Sequence, residues 1–309
     1  MTDHPLVSVC IGAYNRENYL RETLDSVFAQ TYRNLEVIVV DDASTDRTVD
    51  VVRNYGDRIR LIQRTENSGI CPVTRNQAAR AATGQYLAFL DSDDGWYPTK
   101  IEKQVEFLEA HADIPLCHTY CHVIDEHSNV IGVRHEGNLP PTGNCFSKLL
   151  RHCWVTNSAV MVRADIFPRV GGYFIEDRRY GIWGEDLEFY LRVARRFPLG
   201  LVDEVLTRYR RSVFNISAGN WRYWPESVPL HRMILARRDI WEGAVPRSEP
   251  LEAYVGACIE NCVFWRDRRF PGRALFFAGS ALRADPVHGR AWSEAVKSLL
   301  NAVGSSGRR

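Results

Sequence analysis

The feature that most constrains this chain is a switch between two hydrophobic periods, repeated through its first hundred residues. "VSVCI" is a short β-rich run, "GAYNREN" is a polar turn, and Leu20, Leu24, Val27 and Phe28 then share one helix face. "LEVIVV" is a continuous apolar strand that stops at "DDASTD", which offers several N-caps for a helix beginning near Arg47. "RIRLIQ" predicts a third strand, and "PVTRNQAARAATG" an alanine-rich helix closed by Gly84 at its C′ position. "QYLAFL" predicts a fourth strand, and Pro98 opens a helix that carries Ile101, Val105 and Leu108. Fully apolar strands alternating with helices predict an α/β fold, a Rossmann-like and mostly parallel sheet with helices on both faces.

The pattern loosens after residue 112. "PLCHTYCHVID" and "NVIGV" predict two strands joined by a turn, "HEGNLPPTGN" a loop, and "VTNSAVMV" a further strand. "GEDLEFYLRVARRF" predicts a helix with Leu187, Leu191, Ala194 and Phe197 along one stripe. Polar and aromatic residues near 215–226 ("NISAGNWRYWPES") mark a break, and the remainder reads as amphipathic helices. We therefore expect a catalytic domain over 1–220 and a C-terminal α-helical extension over 221–309. Within the extension, "RRFPGRALFFAGSALRADP" resembles one helix pair of a tetratricopeptide-type repeat, and one pair does not make an array. Phe264, Trp265, Phe270, Phe276, Phe277 and Trp292 make the extension too apolar for a solvated linker. Packing within the protein is the first candidate for what covers them, and a homodimer through these helices the second.

Composition excludes several classes. A formal charge of +1 argues against nucleic-acid binding by bulk electrostatics. No apolar stretch is long enough to span a bilayer, and no basic n-region followed by an apolar run opens the chain. The expected setting is cytoplasmic, with peripheral contact at the inner face of the membrane left open. Of the eight cysteines, the pairs Cys117/Cys121 and Cys258/Cys262 have C-x-x-x-C spacing, which is neither a zinc knuckle nor a redox motif, and buried free thiols are expected.

Where chemistry could sit follows from topology. Ligands of such sheets bind beyond the carboxyl ends of the strands. Tyr14–Asn15, Asp41–Asp42 and Asp91–Asp94 each follow directly on a predicted strand, so one crevice should gather them. An Asp-x-Asp at a strand end supplies the one or two carboxylates that magnesium or manganese takes, leaving other positions to diphosphate and water. Asp41–Asp42 suit hydrogen bonds to a base or ribose, Tyr14 a stacking face, and Arg75 part of a diphosphate charge. Singly, each has a plainer explanation as a helix cap, a packed aromatic or a chance acidic pair. Their succession on three strands of one sheet favours the functional one.

The ordered runs "VSVCIGAYNRENYLRETLDSVFAQTYRNLEVIVVDDASTDRT", "ENSGICPVTRNQAARAATGQYLAFLDSDDGWYPTKIEKQVEFL" and "WGEDLEFYLRVA" resemble the family 2 glycosyltransferases of the GT-A fold, from about residue 5 to about 215. The resemblance implies an inverting hexosyltransferase-like enzyme with a nucleoside-diphosphate-sugar donor, foremost a UDP-sugar. It further implies Mn2+ or Mg2+, a saccharide or glycolipid acceptor, and a place in polysaccharide or other glycoconjugate synthesis. By the same resemblance Tyr14 and Asp42 flank the base with Asn15 and Asp41 alongside. Asp91 and Asp93 form the Asp-x-Asp metal motif, with Asp94 sharing metal duty if the register in "DSDD" shifts by one. Asp186 is implied as catalytic base, with Glu185 the alternative. One departure stands out. Many relatives carry a histidine shortly after a Tyr-Arg pair where this chain has Ser212, so either Arg210 or Arg211 takes over the phosphate contact or the metal site has one protein ligand fewer.

Two other readings compete. A sugar-1-phosphate nucleotidyltransferase needs a Gly-rich phosphate loop with a basic residue after the first strand, which "GAYNREN" does not supply, and a dinucleotide dehydrogenase needs G-x-G-x-x-G there. A non-catalytic carbohydrate-binding or scaffold protein on the same fold is disfavoured because every acidic motif is intact.

Overall fold

In the computed structural model, which describes residues 4–134, 140, 142–151, 155–175, 185–211, 227–267 and 270–306, the two hydrophobic periods resolve into strands and helices in the expected order. The first half runs β1 (Val7–Ala13), α1 (Leu20–Phe28), β2 (Leu35–Asp41), α2 (Thr48–Arg53), β3 (Arg60–Gln63), α3 (Cys71–Ala81), β4 (Tyr86–Asp91), β5 (Gly95–Trp96) and α4 (Lys100–Ala110). The second continues β6 (Leu116–Ile124), β7 (Val130–Val133), α5 (Phe146–Arg151), β8 (Met161–Arg163), α6 (Ile166–Arg169), α7 (Glu185–Ala194) and β9 (Leu199–Arg210). Helices α8 (Ser227–Ala236), α9 (Arg238–Trp241), α10 (Ser248–Asp267), α11 (Pro271–Ala284) and α12 (Gly289–Ser306) follow.

The strands form one nine-stranded sheet in the order β3-β2-β1-β4-β8-β6-β9-β5, with β7 beside β6. Pairings β1/β2, β1/β4, β2/β3 and β6/β9 are parallel, whereas β8 runs antiparallel to both β4 and β6, β5 to β9, and β7 to β6. The sheet is thus mostly parallel, with β5, β7 and β8 reversed. Val7, Val9 and Ile11 are fully buried and so are Ile38, Val39 and Val40, as a sheet covered on both faces requires. One face packs on Leu20, Leu24 and Val27 of α1 and Ile101 and Leu108 of α4, each such burial contributing about 1.5–3 kcal/mol.

Several local expectations change. Asp46 is the member of "DDASTD" that caps α2, its Oδ1 accepting the Thr48 N–H at 2.9 Å. Gly84 is not a left-handed C′ residue, because α3 ends in the extended Ala82. It permits a close approach instead. A Cβ there would lie 2.6 Å from Ser8 Oγ and 2.7 Å from the Leu6 carbonyl oxygen. Within "VTNSAVMV" only Met161 and Val162 are strand, the start of β8, and Asn157–Ala159 is a 3-10 turn. Helix α7 is buried on more than one stripe, since Glu188, Phe189, Tyr190 and Val193 are covered along with Leu187 and Leu191. The longest strand, β9, occupies a stretch where no element is expected from periodicity. The expected break near 215–226 lies outside the described residues, as do Trp183 and Gly184 of "WGED" and Ser212.

The chain divides into two compact units. The first comprises Met1–Leu149, Cys153–Ile175 and Glu185–Gly219, and the second Leu150–His152, Glu176–Gly184 and Asn220–Arg309. The second has its own core, with Cys258, Cys262 and Trp265 of α10 against Ala274, Ala278 and Ala281 of α11 and Ala291 of α12. The described cysteines are all free thiols.

Candidate active site

The parallel register brings the three polar clusters together. Ala13 at the end of β1 stands opposite Asp41 of β2, and Gly12 stands opposite Asp91 of β4. Loops leaving β1, β2 and β4 therefore share the carboxyl edge of the sheet, where an open α/β sheet binds ligands.

On the β1–β2 side, Tyr14 is 42% exposed and presents a free aromatic face. Asn15 adopts the left-handed region (φ 50°) and is a staple between loops, its N–H donating to Ser44 Oγ at 3.0 Å and its Oδ1 accepting the Thr45 N–H at 2.8 Å. The two adjacent aspartates differ. Asp42 is spent on the protein, paired with Arg64 at 2.8 Å and accepting the N–H and the hydroxyl of Ser68 at 3.0 and 2.7 Å. Asp41 Oδ2 accepts the Ser44 N–H at 3.0 Å, while its Oδ1 is buried and has no hydrogen-bond partner among the described residues. A buried, unpaired carboxylate oxygen is costly unless something donates to it.

On the β4 side, the three aspartates of "DSDD" have three environments. Asp91 Oδ1 accepts Arg75 Nη2 at 2.7 Å and Asn157 Nδ2 at 2.9 Å, which leaves Oδ2 without a hydrogen bond among the described residues. Asp93 is nearly covered and faces Arg16 at 3.7 Å, too long for a hydrogen bond. Burial pushes its carboxyl above the ordinary range, opposed by Arg16 and reinforced by the Asp91 charge. Asp94 is buried, and both oxygens are engaged: Oδ1 accepts the Arg210 N–H at 2.7 Å and Oδ2 the Ser158 hydroxyl at 2.5 Å. Burial and the neighbouring Asp93 and Asp91 charges push its carboxyl well up. Asp94 thus ties the turn to the end of β9. Asp91 and Asp93 have the chemistry a hard divalent cation seeks: carboxylate oxygens, with Asp91 Oδ2 lacking a hydrogen bond among the described residues and Asp93 beside Arg16 without a hydrogen bond to it. No group of three or more His, Cys, Asp or Glu converges among the described residues. Diphosphate and water would have to complete the shell.

Arg75 links this loop to helix α7. Its buried guanidinium holds Asp91 through Nη2 and Glu185 Oε1 through Nη1, at 2.7 and 2.6 Å. Glu185 is thereby ion-paired. Asp186, next in the first turn of α7, accepts the Leu187 N–H at 2.8 Å. Burial, and then the adjacent Glu185 charge, raise its carboxyl to about 6, with Arg75 opposing. The orientation of α7 is fixed from behind, where Arg192 binds Glu188 and the carbonyl oxygens of Val170 and Gly172.

Of the two arginines expected to replace the missing histidine, Arg210 is only 1% exposed. Its guanidinium binds the Asp93 and Asp125 carbonyl oxygens, Ser128 Oγ and Glu22, clamping the β6–β7 hairpin to the acidic turn. Arg211 follows on the surface, its N–H held by the Ile124 carbonyl oxygen at 2.8 Å. Sequence reasoning passed over Arg16, Ser68, Asn157, Ser158 and Tyr173. Arg16 and Ser68 stand inside the quoted motifs, whereas Asn157 and Tyr173 carry no local signal.

Comparison with known proteins gives the family and the fold. Residues 8–167 match the family described as Glycosyl transferase family 2. A β-1,3-glucosyltransferase of Escherichia coli, WfaP, named for UDP-glucose and α-D-GlcNAc-diphosphoundecaprenol, is 32% identical over 85% of this chain and 98% of its own. Among solved structures, Staphylococcus aureus TarS 1–349 in complex with UDP-GlcNAc superposes with a TM-score of 0.70 at 19% identity, covering 96% of this chain and 89% of that one. A mannosyltransferase of Pyrobaculum calidifontis in complex with GDP-Man and Mn2+ superposes at 0.58 and 18% identity, covering 99% and 87%. At such identities these structures establish the fold, a GT-A glycosyltransferase fold.

Proposed function

Because the chain belongs to glycosyl transferase family 2, we propose that it moves a sugar from a nucleoside-diphosphate donor to an acceptor hydroxyl in one inverting displacement. The observation that carries this reading is the Asp91–Arg75–Glu185 ion bridge, which couples the acidic turn to the helix bearing Asp186.

The residues divide the work by environment. Tyr14 stacks on the base, Asp41 lies alongside at the end of β2, and Asp42 braces the Ser68 wall. A UDP-sugar is the donor this reading favours, since the Escherichia coli relative WfaP is named for UDP-glucose. Asp91 and Asp93 hold Mn2+ or Mg2+, which when bound stabilises the charge that builds on the leaving diphosphate. Asp94, saturated by Arg210 and Ser158, shapes the turn. Arg16 and Arg211 contribute positive charge to the phosphate side, in place of the histidine found in many relatives.

Asp186 takes the acceptor proton as the new bond forms. A base is most useful when its pKa lies near the working pH, and a carboxyl at about 6 is far better placed than one at its ordinary value. Glu185, ion-paired with Arg75, serves as a strut. The acceptor is a saccharide or glycolipid, reached from the inner membrane surface. No helix among the described residues is long and apolar enough to cross a membrane.

A thermal-shift screen of nucleoside diphosphates, with and without Mn2+, tests the donor, since a ligand that binds only the native state raises the midpoint. UDP with Mn2+ should give the largest rise. Equal shifts with and without metal would remove Asp91 and Asp93 from a cation site. Sugar-1-phosphate turnover with a nucleoside triphosphate would replace the transferase reading by the nucleotidyltransferase one.

A further inference from the structure

A buried polar relay reaches Asp91 at its Oδ1. Strand β8 runs antiparallel to β4, with Ala88 opposite Met161. Antiparallel pairing sets whatever precedes β8 beside whatever follows β4. The Asn157–Ala159 turn is thereby delivered to the acidic loop, although more than sixty residues separate them in sequence.

Each hydrogen bond in the relay specifies the next. Gly172 (φ 65°) turns the backbone where a Cβ would lie 2.7 Å from Asn76 Oδ1. Asn76 then brackets Tyr173, accepting its N–H at 2.9 Å and donating to its carbonyl oxygen at 2.7 Å. So fixed, the Tyr173 hydroxyl donates to Asn157 Oδ1 at 2.6 Å. A hydroxyl donor on that oxygen sets the amide orientation, and Nδ2 is left facing Asp91 Oδ1 at 2.9 Å. Next door, Ser158 Oγ accepts the Asp91 N–H at 3.1 Å and donates to Asp94. Asn76, Asn157, Ser158 and Tyr173 are all at least 95% buried.

We infer that Asn157, with its amide oriented by Tyr173, is a positioning residue for Asp91. Asn157 and Arg75 both occupy Oδ1, so the carboxylate is held in one rotamer and presents the other oxygen alone. Asp91 then offers a single oxygen rather than a chelating pair, and the cation keeps positions for diphosphate. Without the Tyr173 hydroxyl, the amide gains the freedom to turn its oxygen toward Asp91, which repels it. The inference rests on the proposed role of Asp91 as a cation ligand.

The test compares the full chain with Tyr173→Phe and Asn157→Ala, measuring Mn2+ affinity by electron paramagnetic resonance at saturating UDP, alongside metal-free UDP affinity and the thermal midpoint. Outer-shell partners of metal ligands are worth about 10–100-fold in affinity, and Mn2+ binding should weaken by that factor in both variants. Metal-free UDP affinity should not change, and saturating Mn2+ should restore turnover, which a merely disordered site would not allow. Unchanged Mn2+ affinity in either folded variant overturns the positioning role. Absence of Mn2+ binding by the unaltered protein overturns the cation reading itself, and this inference with it.

Discussion

The two units spend buried polarity in opposite ways. In the first, Asp41, Arg75, Asp94, Asn157 and Arg210 are buried at one edge of the sheet and bonded largely to elements distant in sequence. In the second, several buried polar groups serve the helices that carry them, although Glu294 of α12 also reaches Arg266 of α10. Asn261 Nδ2 donates to the Ala257 carbonyl oxygen at 2.9 Å, and Ser298 Oγ to that of Glu294 at 2.8 Å. Glu294 itself is shared by Arg266 and Lys297. Buried charge is costly unless paired, so a protein concentrates it where chemistry demands it. The first unit carries such a concentration and the second does not. What the second unit shows instead is exposed apolar surface, with Phe276 63% and Trp292 54% exposed. Packing within the protein, the first expectation for these helices, covers Trp265 and Phe277 but leaves Phe276 and Trp292 uncovered.

Substitutions should respect that contrast. The largest effect is expected for Asp186→Asn, which keeps donor binding and lowers transfer by about 10²–10⁴-fold, the worth of a positioned base. If Glu185→Gln proves inactive while Asp186→Asn turns over, the base lies one residue earlier. In the unaltered protein, kcat/KM should fall as pH drops through about 6, because protonated Asp186 cannot accept the hydroxyl proton. A profile flat between pH 5 and 8 would exclude this carboxyl as the base. Next comes Asp93→Ala, which should abolish Mn2+-dependent protection by UDP and leave the fold intact, as thermal-shift and circular dichroism measurements would show.

A smaller effect concerns a buried charge of the first unit that no chemistry uses. Lys100 is fully buried over the Trp96 ring at 3.9 Å, its Nζ donating no hydrogen bond among the described residues. Burial lowers its pKa to about 7, against the weaker opposing influence of Cys117 and Cys121. The unfolded chain therefore binds more protons between about pH 7 and the ordinary lysine value, and stability rises with pH across that window. Lys100→Met should stabilise the protein by about 1–3 kcal/mol, more at pH 6 than at pH 9, as denaturant titration at both values would reveal. Least of all, Phe276→Ser and Trp292→Ser should each change stability by no more than about 0.5 kcal/mol while improving solubility. A loss above 2 kcal/mol would mean that these side chains are covered in solution, and light scattering would then identify a second copy as the cover.

The alternation of periods determined the parallel half of this protein from sequence alone. Strands β1, β2 and β4 and the acidic residues at their ends were legible because hydrophobic period, strand termination and acidic clustering are all local properties. Tertiary structure decided the rest. Asp41 and Asp42 look alike in sequence, yet only Asp41 keeps an unpaired oxygen, because Ser68 and Arg64 arrive from the β3–α3 connection to occupy Asp42. Asp91, Asp93 and Asp94 likewise part company according to what reaches them: Arg75 and Asn157, Arg16, or Arg210 and Ser158. Arg210, one of two arginines expected at the phosphate, is a buried clamp on the acidic turn. Each of these outcomes depends on pairings across the sheet, above all the reversed β8, and no local period records which distant strand a segment will lie beside.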